Sequence, residues 1–346
     1  MSHQKENILV FGYFGKRSHI MEGQSVKTRN ISRLLQEMGC HVSEFDTESF
    51  RYDPLAIGKM LVRLACCDKV CVLPAHGNLK WLVPVIYVLS LVFRYKVYLF
   101  TIGGRLHIYL KSMPFHRFFL GRIARIFNET RLLGRNLHEL YGYENLTFCP
   151  NFKFVDFMPM PHHSAQRLRL VFLARIIMEK GLDVIFAYCD FLMKDQRVDV
   201  TIDFYGMIAE KDKDYFLTKV DSYPFVTYKG VAQQQEIPTL LEGYDAMIFP
   251  THYPTEGIPG SVLDAYISGI PVVATNWVYA SELIDDGKTG IIVPFDNCID
   301  DFIKACEHLL HYEDELNLMK KMAYEKGKTY RSDYAKAILN DYFKTR

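Results

Sequence analysis

The stretch Pro254–Thr275 reads PTEGIPGSVLDAYISGIPVVAT. An acidic loop residue, Glu256, precedes Gly257-Ile258-Pro259-Gly260-Ser261. A helix is predicted from there to about Ser268, and Gly269-Ile270-Pro271 opens the buried strand Pro271–Ala274. The glycines let a ligand approach the backbone, and the helix start presents unpaired N–H groups to an anion. Asp264 follows Glu256 by eight residues, about two helical turns. A carboxylate at that point can accept a bidentate pair of hydrogen bonds from a vicinal diol, such as the ribose of a nucleotide. Taken alone, the same residues also read as a capped helix with an acid near its N-terminus.

Working outward, apolar runs alternate with helical patterns. Leu168–Ala174, Val198–Tyr205, Phe225–Tyr228, Ala246–Phe249 and Gly290–Val293 read as further strands, and Gly181–Lys194 as a helix. Three helical patterns close the chain without strands between them: Ile299–His311, Glu313–Lys328 and Asp333–Phe343. Toward the N-terminus, strand Asn7–Gly12, polar loop Tyr13–Gly23, helix Gln24–Met38 and strand His41–Phe45 follow one another. Val70–Leu73 and Val97–Thr101 are further short strands. Pro150–Gln166 carries Pro150, Pro159 and Pro161 without a usable period and reads as a linker. Alternation of this kind predicts an α/β protein of two Rossmann-like, doubly wound domains facing across a cleft, over 1–155 and 156–328. A C-terminal helix at about 329–346 is free to pack back onto the first domain.

The 346 residues carry 41 Lys and Arg against 40 Asp and Glu, a net of +1. That balance hides an asymmetry. Residues 1–150 hold 20 basic and 11 acidic residues, and 151–346 hold the remaining 21 and 29. A basic half joined to an acidic half points to an anionic surface or ligand for one of them. Nine Lys and Arg fall between Arg94 and Arg135 against one acid, Glu129, interleaved with Phe115, Phe118, Phe119 and Phe127. Basic and aromatic residues mixed in this way read as a helix on an anionic membrane surface, or as an amphipathic core helix with a solvated basic face. No recognition motif accompanies the charge, so no nucleic-acid partner is expected. The apolar run Leu82–Phe93 is too short to span a bilayer and reads as a buried helix.

Eight scattered cysteines form no C-x-x-C pair, and most read as small core residues rather than zinc ligands. The polar start Met1–Asn7 does not have the shape of a signal peptide, so a cytoplasmic protein is expected. Asp212-Lys213-Asp214 has a D-x-D form, but it lies in a charged helix start and no metal is assigned to it. Gly12-Tyr13-Phe14-Gly15 is not a dinucleotide fingerprint.

Three motifs in order carry a family resemblance. Glu256-x7-Asp264, in its Pro- and Gly-rich frame, resembles the E-x7-E signature of retaining glycosyltransferases of the GT-B fold, family 4. Val171–Gly181 (VFLARIIMEKG) is similar to that family's strand followed by R-x4-K-G. Ser281–Gly290 (SELIDDGKTG) is similar to its E-x-x-x-D-G-x-T-G turn. In the first half, Gly23–Asn30 (GQSVKTRN) resembles the loop-to-helix entry of bacterial polysaccharide members.

The resemblance implies a nucleotide-diphospho-sugar donor, UDP- or GDP-linked, and a glycan acceptor, lipid-linked in surface polysaccharide assembly. No metal and no cofactor are expected. Arg175 and Lys180 would neutralise the diphosphate, and Glu256 would meet the donor sugar. Backbone groups of Gly257, Ile258, Pro259, Gly260, Ser261 and Val262, with Gly206, would hold sugar and phosphate, and Asp264 the ribose. Acceptor-side candidates are Gly23, Gln24, Gly104, Arg105 and His107. The family's N-domain histidine has no match in Thr101–Arg105, with His76 and His107 as substitutes. The expected place is peripheral, on the inner face of the cell membrane. A nucleotide-sugar epimerase and a non-catalytic partner subunit of the same fold are the alternatives.

Overall fold

The computed structural model describes residues 6–17, 23–74, 76–156, 158–160, 167–196 and 199–343. Among them the chain forms two compact units. One runs up to Phe154 and takes in the chain from Ser332 onward; the other runs from Val155 to Arg331. These bounds move the expected boundary at the C-terminal end by a few residues. Parts of five expected segments lie outside the described residues: 1–5 of the polar start, 18–22 of the first loop, 157 and 161–166 of the linker, Val198 of the strand Val198–Tyr205, and 344–346 of the C-terminal helix.

The first unit contains strands β1 (Asn7–Gly12), β2 (His41–Asp46), β3 (Lys69–Leu73), β4 (Lys96–Phe100), β5 (Arg125–Asn128) and β6 (Leu146–Phe148). Its helices are α1 (Gly23–Glu37), α2 (Ala56–Ala65), α3 (His76–Phe93), α4 (Leu106–Tyr109), α5 (Pro114–Leu120) and α6 (Arg131–Tyr141). The strands form one parallel sheet in the order β2-β1-β3-β4-β5-β6, with Ile8 opposite Val42 and Lys69. β3 is buried at every residue, as parallel sheets covered on both faces require. α6 has a local start and stop: the Thr130 hydroxyl accepts the Leu133 N–H, and Gly142 closes the helix at φ 67°.

The second unit contains β7 (Leu168–Leu173), β8 (Val200–Tyr205), β9 (Val226–Tyr228), β10 (Ala246–Phe249), β11 (Val272–Thr275) and β12 (Gly290–Val293). Between and after them come α7 (Leu182–Lys194), α8 (Lys213–Asp221), α9 (Ile237–Leu241), α10 (Gly260–Ile267), α11 (Ala280–Leu283), α12 (Ile299–His311) and α13 (Glu313–Gly327). The sheet is again parallel, in the order β12-β11-β10-β7-β8-β9. From β7 the chain winds outward through β8 and β9, then returns to β7's other side and winds out through β10, β11 and β12. The strand order therefore reverses between β7 and β10. In doubly wound sheets, ligands bind outside the carboxyl ends of the strands at such a reversal.

A last helix, α14 (Ser332–Phe343), returns to the first unit. Its Ala335, Leu339 and Phe343 join Ile8, Val10, Cys71 and Phe127 in that unit's core. The start of the expected linker is also packed there: Phe152 is buried and its carbonyl accepts the Asn30 Nδ2–H. Six of the eight cysteines are buried and all eight are free thiols.

Two expectations about the first unit are corrected. α3 is not buried all round. Leu91 and Val92 are 66 % and 67 % exposed, while Leu82, Val83 and Ile86 on another face of the helix are buried. Nor is the basic segment 94–135 one helix. It is divided among β4, α4, α5, β5 and the start of α6, which puts Ile126 and Phe127 in the core and leaves Phe115 75 % exposed. No described helix is long and apolar enough to cross a membrane.

Candidate functional site

The reversal point of the second sheet is built from the loops that leave β7 and β10. After β7, Ile176 bridges to Ile208, and Ile176 and Ile177 are buried beneath the loop. With those side chains turned inward, Arg175 is left exposed. A 3-10 turn, Met178–Lys180, follows. Its first N–H, on Met178, donates to Asp212 Oδ2 at 3.1 Å. Gly181 then sits at φ 83°, and a Cβ there would lie 1.8 Å from the Pro250 carbonyl oxygen. Only glycine permits that approach between the two loops.

After β10, the His252 N–H donates to the Glu179 carbonyl at 2.9 Å, tying the second loop to the first. Thr275 Oγ1 donates to the Thr251 carbonyl, and the Val278 N–H to that of Pro254, so the loop after β11 braces the same segment. These constraints bring Lys180 and Glu256 together across 76 residues of sequence, with Nζ donating to Oε2 at 2.6 Å. Their side chains are 13 % and 20 % exposed. Lys180 Nζ also lies over the rings of Phe249 and Tyr253, at 5.0 and 5.1 Å from their centroids. Three N–H donors on one ammonium can serve Glu256 and a further anion together.

Pro259 is the N-cap of α10, at φ −62° and ψ 128°, and no side chain caps this helix. The first-turn N–H groups of Gly260, Ser261 and Val262 have no partner within the helix. The expectation that every backbone N–H from Gly257 to Val262 holds a ligand needs one correction. Pro259 has no N–H, and its contribution is the fixed φ that starts the helix. Asp264 lies one turn into α10 and is only 7 % exposed. Gly206, at φ 145°, lets the end of β8 pass the Ala174 carbonyl, where a Cβ would come within 1.8 Å of the oxygen. It therefore shapes the floor beside Arg175.

Asp212 was missed as a site-building residue in the sequence. Its D-x-D spelling suggests a cation, whereas its buried carboxylate holds the turn that carries Lys180. Among the described residues, no three His, Cys, Asp or Glu side chains are grouped so as to hold a metal. The Ser281–Gly290 motif is a closed turn: the Asp285 N–H donates to Thr289 Oγ1, and Lys326 pairs with Asp285.

The acceptor-side candidates are in the first unit. Lys27 of α1 is buried, paired with Glu129 just after β5, and donates to the Thr101 carbonyl just after β4 at 2.8 Å. The other Glu129 oxygen accepts the Gly103 N–H at 3.1 Å. The pair ties the α1 start, which holds Gly23 and Gln24, to the loop that holds Gly104 and Arg105. Gln24 Nε2 is buried with no hydrogen-bond partner among the described residues. His107 lies in α4; burial lowers its pKa below the usual histidine value and Lys111 adds to that, against a backbone hydrogen bond at Gly104. The His76 side chain lies outside the described residues.

Two parallel doubly wound sheets, the second with a lysine-bearing loop and an uncapped helix at its reversal point, define an α/β protein of the GT-B class. Residues 167–312, which contain Lys180, Glu256 and α10, match the family model of glycosyl transferases group 1. An uncharacterized 41.2 kDa protein in the cps region of Klebsiella pneumoniae is 25 % identical over 151 residues, 43 % of this chain and 39 % of its own length. The amylovoran biosynthesis glycosyltransferase AmsK of Erwinia amylovora is 29 % identical over 134 residues, 37 % of this chain and 33 % of its own. The chain thus matches between about a third and two fifths of the length of these relatives. The crystal structure of Anabaena HepE in complex with UDP and glucose has the same fold. It superposes with a TM-score of 0.74 at 13 % identity, over 97 % of this chain and 98 % of that one.

Proposed function

We propose that this protein is a retaining glycosyltransferase of family 4. It moves a sugar from a nucleotide-diphospho-sugar, UDP- or GDP-linked, to a lipid-linked glycan acceptor in surface polysaccharide biosynthesis. The observation that carries the reading is the contact of Lys180 with Glu256 beside the uncapped start of α10, within the span that matches the glycosyl transferases group 1 model. In this reading Arg175, Lys180 and the Gly260–Val262 amides accept the charge of the departing diphosphate, which is electrostatic stabilisation without a metal ion. Glu256 orients the donor sugar, and Asp264 serves the ribose. The acceptor attacks from the side the diphosphate leaves, and the diphosphate takes the acceptor proton. The transition state is oxocarbenium-like and the anomeric configuration is retained. AmsK supports the polysaccharide context by its name, and the UDP and glucose bound to HepE support the donor class.

The same proposal places the protein peripherally on the inner face of the cell membrane, through the basic and apolar surface of 94–135 and the outer face of α3. Exposed Leu91, Val92 and Phe115, together with exposed Arg94 and Lys96, support that contact.

The test is a thermal-shift panel of UDP- and GDP-sugars, with product configuration read by NMR. A nucleotide diphosphate at 100 times its Kd should add about 2.7 kcal/mol of stability. Lys180→Ala and Glu256→Ala should lose that shift and turnover, respectively. The donor assignment fails if no nucleotide diphosphate stabilises the protein, or if Lys180→Ala binds equally well. Turnover of donor without acceptor would mark an epimerase instead.

A further inference from the structure

At the amino ends of β4 and β5, opposite the strand ends that carry the loops at Thr101 and Glu129, the first unit has a pocket of about 450 Å³. Arg94, Lys96, Arg122 and Arg125 line it, with Tyr87 and Tyr342, and no carboxylate does. None of the four cations makes an ion pair among the described residues. The acid that acts electrostatically on neighbouring Tyr98 is Glu6, and it is paired with Lys69. Two of the guanidinium groups are held against aromatic rings: Arg125 at 5.3 Å from the Tyr342 centroid and Arg122 at 3.6 Å from that of Phe118. Stacking fixes the plane of a guanidinium and leaves edge N–H groups available to an oxyanion. Arg122 Nη1 donates one of its N–H groups to the Phe118 carbonyl at 3.2 Å, and the rest of its edge remains. Arg125 Nε is buried with no acceptor among the described residues. A buried, unsatisfied charged donor is costly unless something supplies the acceptor.

Arg94 adds an independent observation. It follows α3 at φ 64°, where glycine is the residue free of steric cost. An arginine held there places a cation at the pocket rim in spite of the backbone conformation.

We propose that this pocket is a second anion site, separate from the Lys180 loop, for a phosphate-bearing group with two or more negative charges. Arginine forks match phosphate oxygens in pairs, and the volume accommodates a diphosphate or a phosphorylated head group rather than a single small ion. Leu91 lines the pocket and continues onto the exposed apolar face of α3, so the phosphate can belong to a soluble ester or to a lipid head group.

The experiment uses the full chain carrying Arg175→Ala and Lys180→Ala, so that the candidate donor site does not report. Inorganic pyrophosphate is titrated calorimetrically, and vesicles of neutral phosphatidylcholine, with and without anionic phosphatidylglycerol, are floated with the protein. The pocket variants are Arg94→Gln with Arg125→Gln, and Arg94→Gly alone, which removes a cation while relaxing the backbone. Pyrophosphate binding that weakens at least tenfold in both variants supports a soluble phosphate ligand. Binding to anionic vesicles alone, reduced in both variants, supports a lipid head group. Absence of both, or binding that Arg94→Gly leaves unchanged, overturns the proposal.

Discussion

Asp212 is the residue whose role depends most on its surroundings. In sequence it is the first acid of a D-x-D in a charged helix start; in the fold its carboxylate accepts the Met178 N–H and so fixes the turn that presents Lys180. An Asp at such a position acts like an N-cap, and removing one costs about 1 kcal/mol. Asp212→Ala should lower stability by about that amount and weaken nucleoside diphosphate binding. Asp212→Asn, which keeps an acceptor oxygen, should restore both. Calorimetric titration with UDP and GDP across the three proteins checks this. A cation role would instead be lost in Asp212→Asn as fully as in Asp212→Ala. Lys180 and Glu256 were legible as motif residues, but Asp212 was not, because a single acceptor for one backbone N–H leaves no repeating spacing.

At the scale of elements, the close pass of the β7 and β10 loops decides whether the site exists. Gly181 at φ 83° and the 1.8 Å that a Cβ would leave to Pro250 O mean that Gly181→Ala must push the loops apart. The left-handed backbone alone costs roughly 1–2 kcal/mol, and overpacking about 1–3 kcal/mol more. Nucleoside diphosphate affinity should fall with it. Gly290→Ala is the matched control, with a Cβ 2.1 Å from the Val272 carbonyl between β11 and β12. It should destabilise by the same kind of clash yet leave the affinity of the folded protein unchanged. Denaturant melts with and without UDP separate the two effects.

Most elements of the second unit were legible, since β10 is an unbroken apolar run and β11 is apolar up to its last residue, Thr275. The first unit was harder to read. α3 has apolar residues on its exposed as well as its buried face, so its composition suggested a burial that the packing does not supply. Basic and aromatic residues from 94 to 135 looked like one helix because charge was counted along the chain, whereas β5 passes through the middle of them.

At the scale of the molecule, the chain leaves its first unit at Phe154 and comes back at Ser332. The Ser332 N–H donates to the Lys153 carbonyl at 3.0 Å, so exit and return are adjacent. Leu339 and Phe343 are buried in the first core, and each is worth roughly 1.5–3 kcal/mol of apolar burial. A chain ending at Arg331 should therefore lose stability in the first unit by about 3–6 kcal/mol. The transition that a bound nucleotide diphosphate raises should stay where it is. Differential scanning calorimetry with and without UDP reads both, and a uniform loss would contradict the assignment of α14 to the first unit.

The +1 total charge likewise resolves by place. In the basic half, four cations without an ion pair among the described residues stand around β4 and β5, while the acidic half sets Arg175, Lys180 and the uncapped start of α10 at the reversal point of its sheet.

By itself the sequence determined the fold class, because covered parallel strands must be apolar throughout and must alternate with helices. It also determined which residue types stand at the Arg175–Lys180 and Glu256–Asp264 motifs. Only the tertiary structure decided that β7 and β10 are neighbours at the point where the winding reverses. Strand order depends on which faces the helices cover, and that is a property of the packed sheet rather than of any local run. From that one adjacency follow the meeting of Lys180 with Glu256 and the need for glycine at 181, while the pairing of β7 with β8 brings Asp212 against the same turn as a brace.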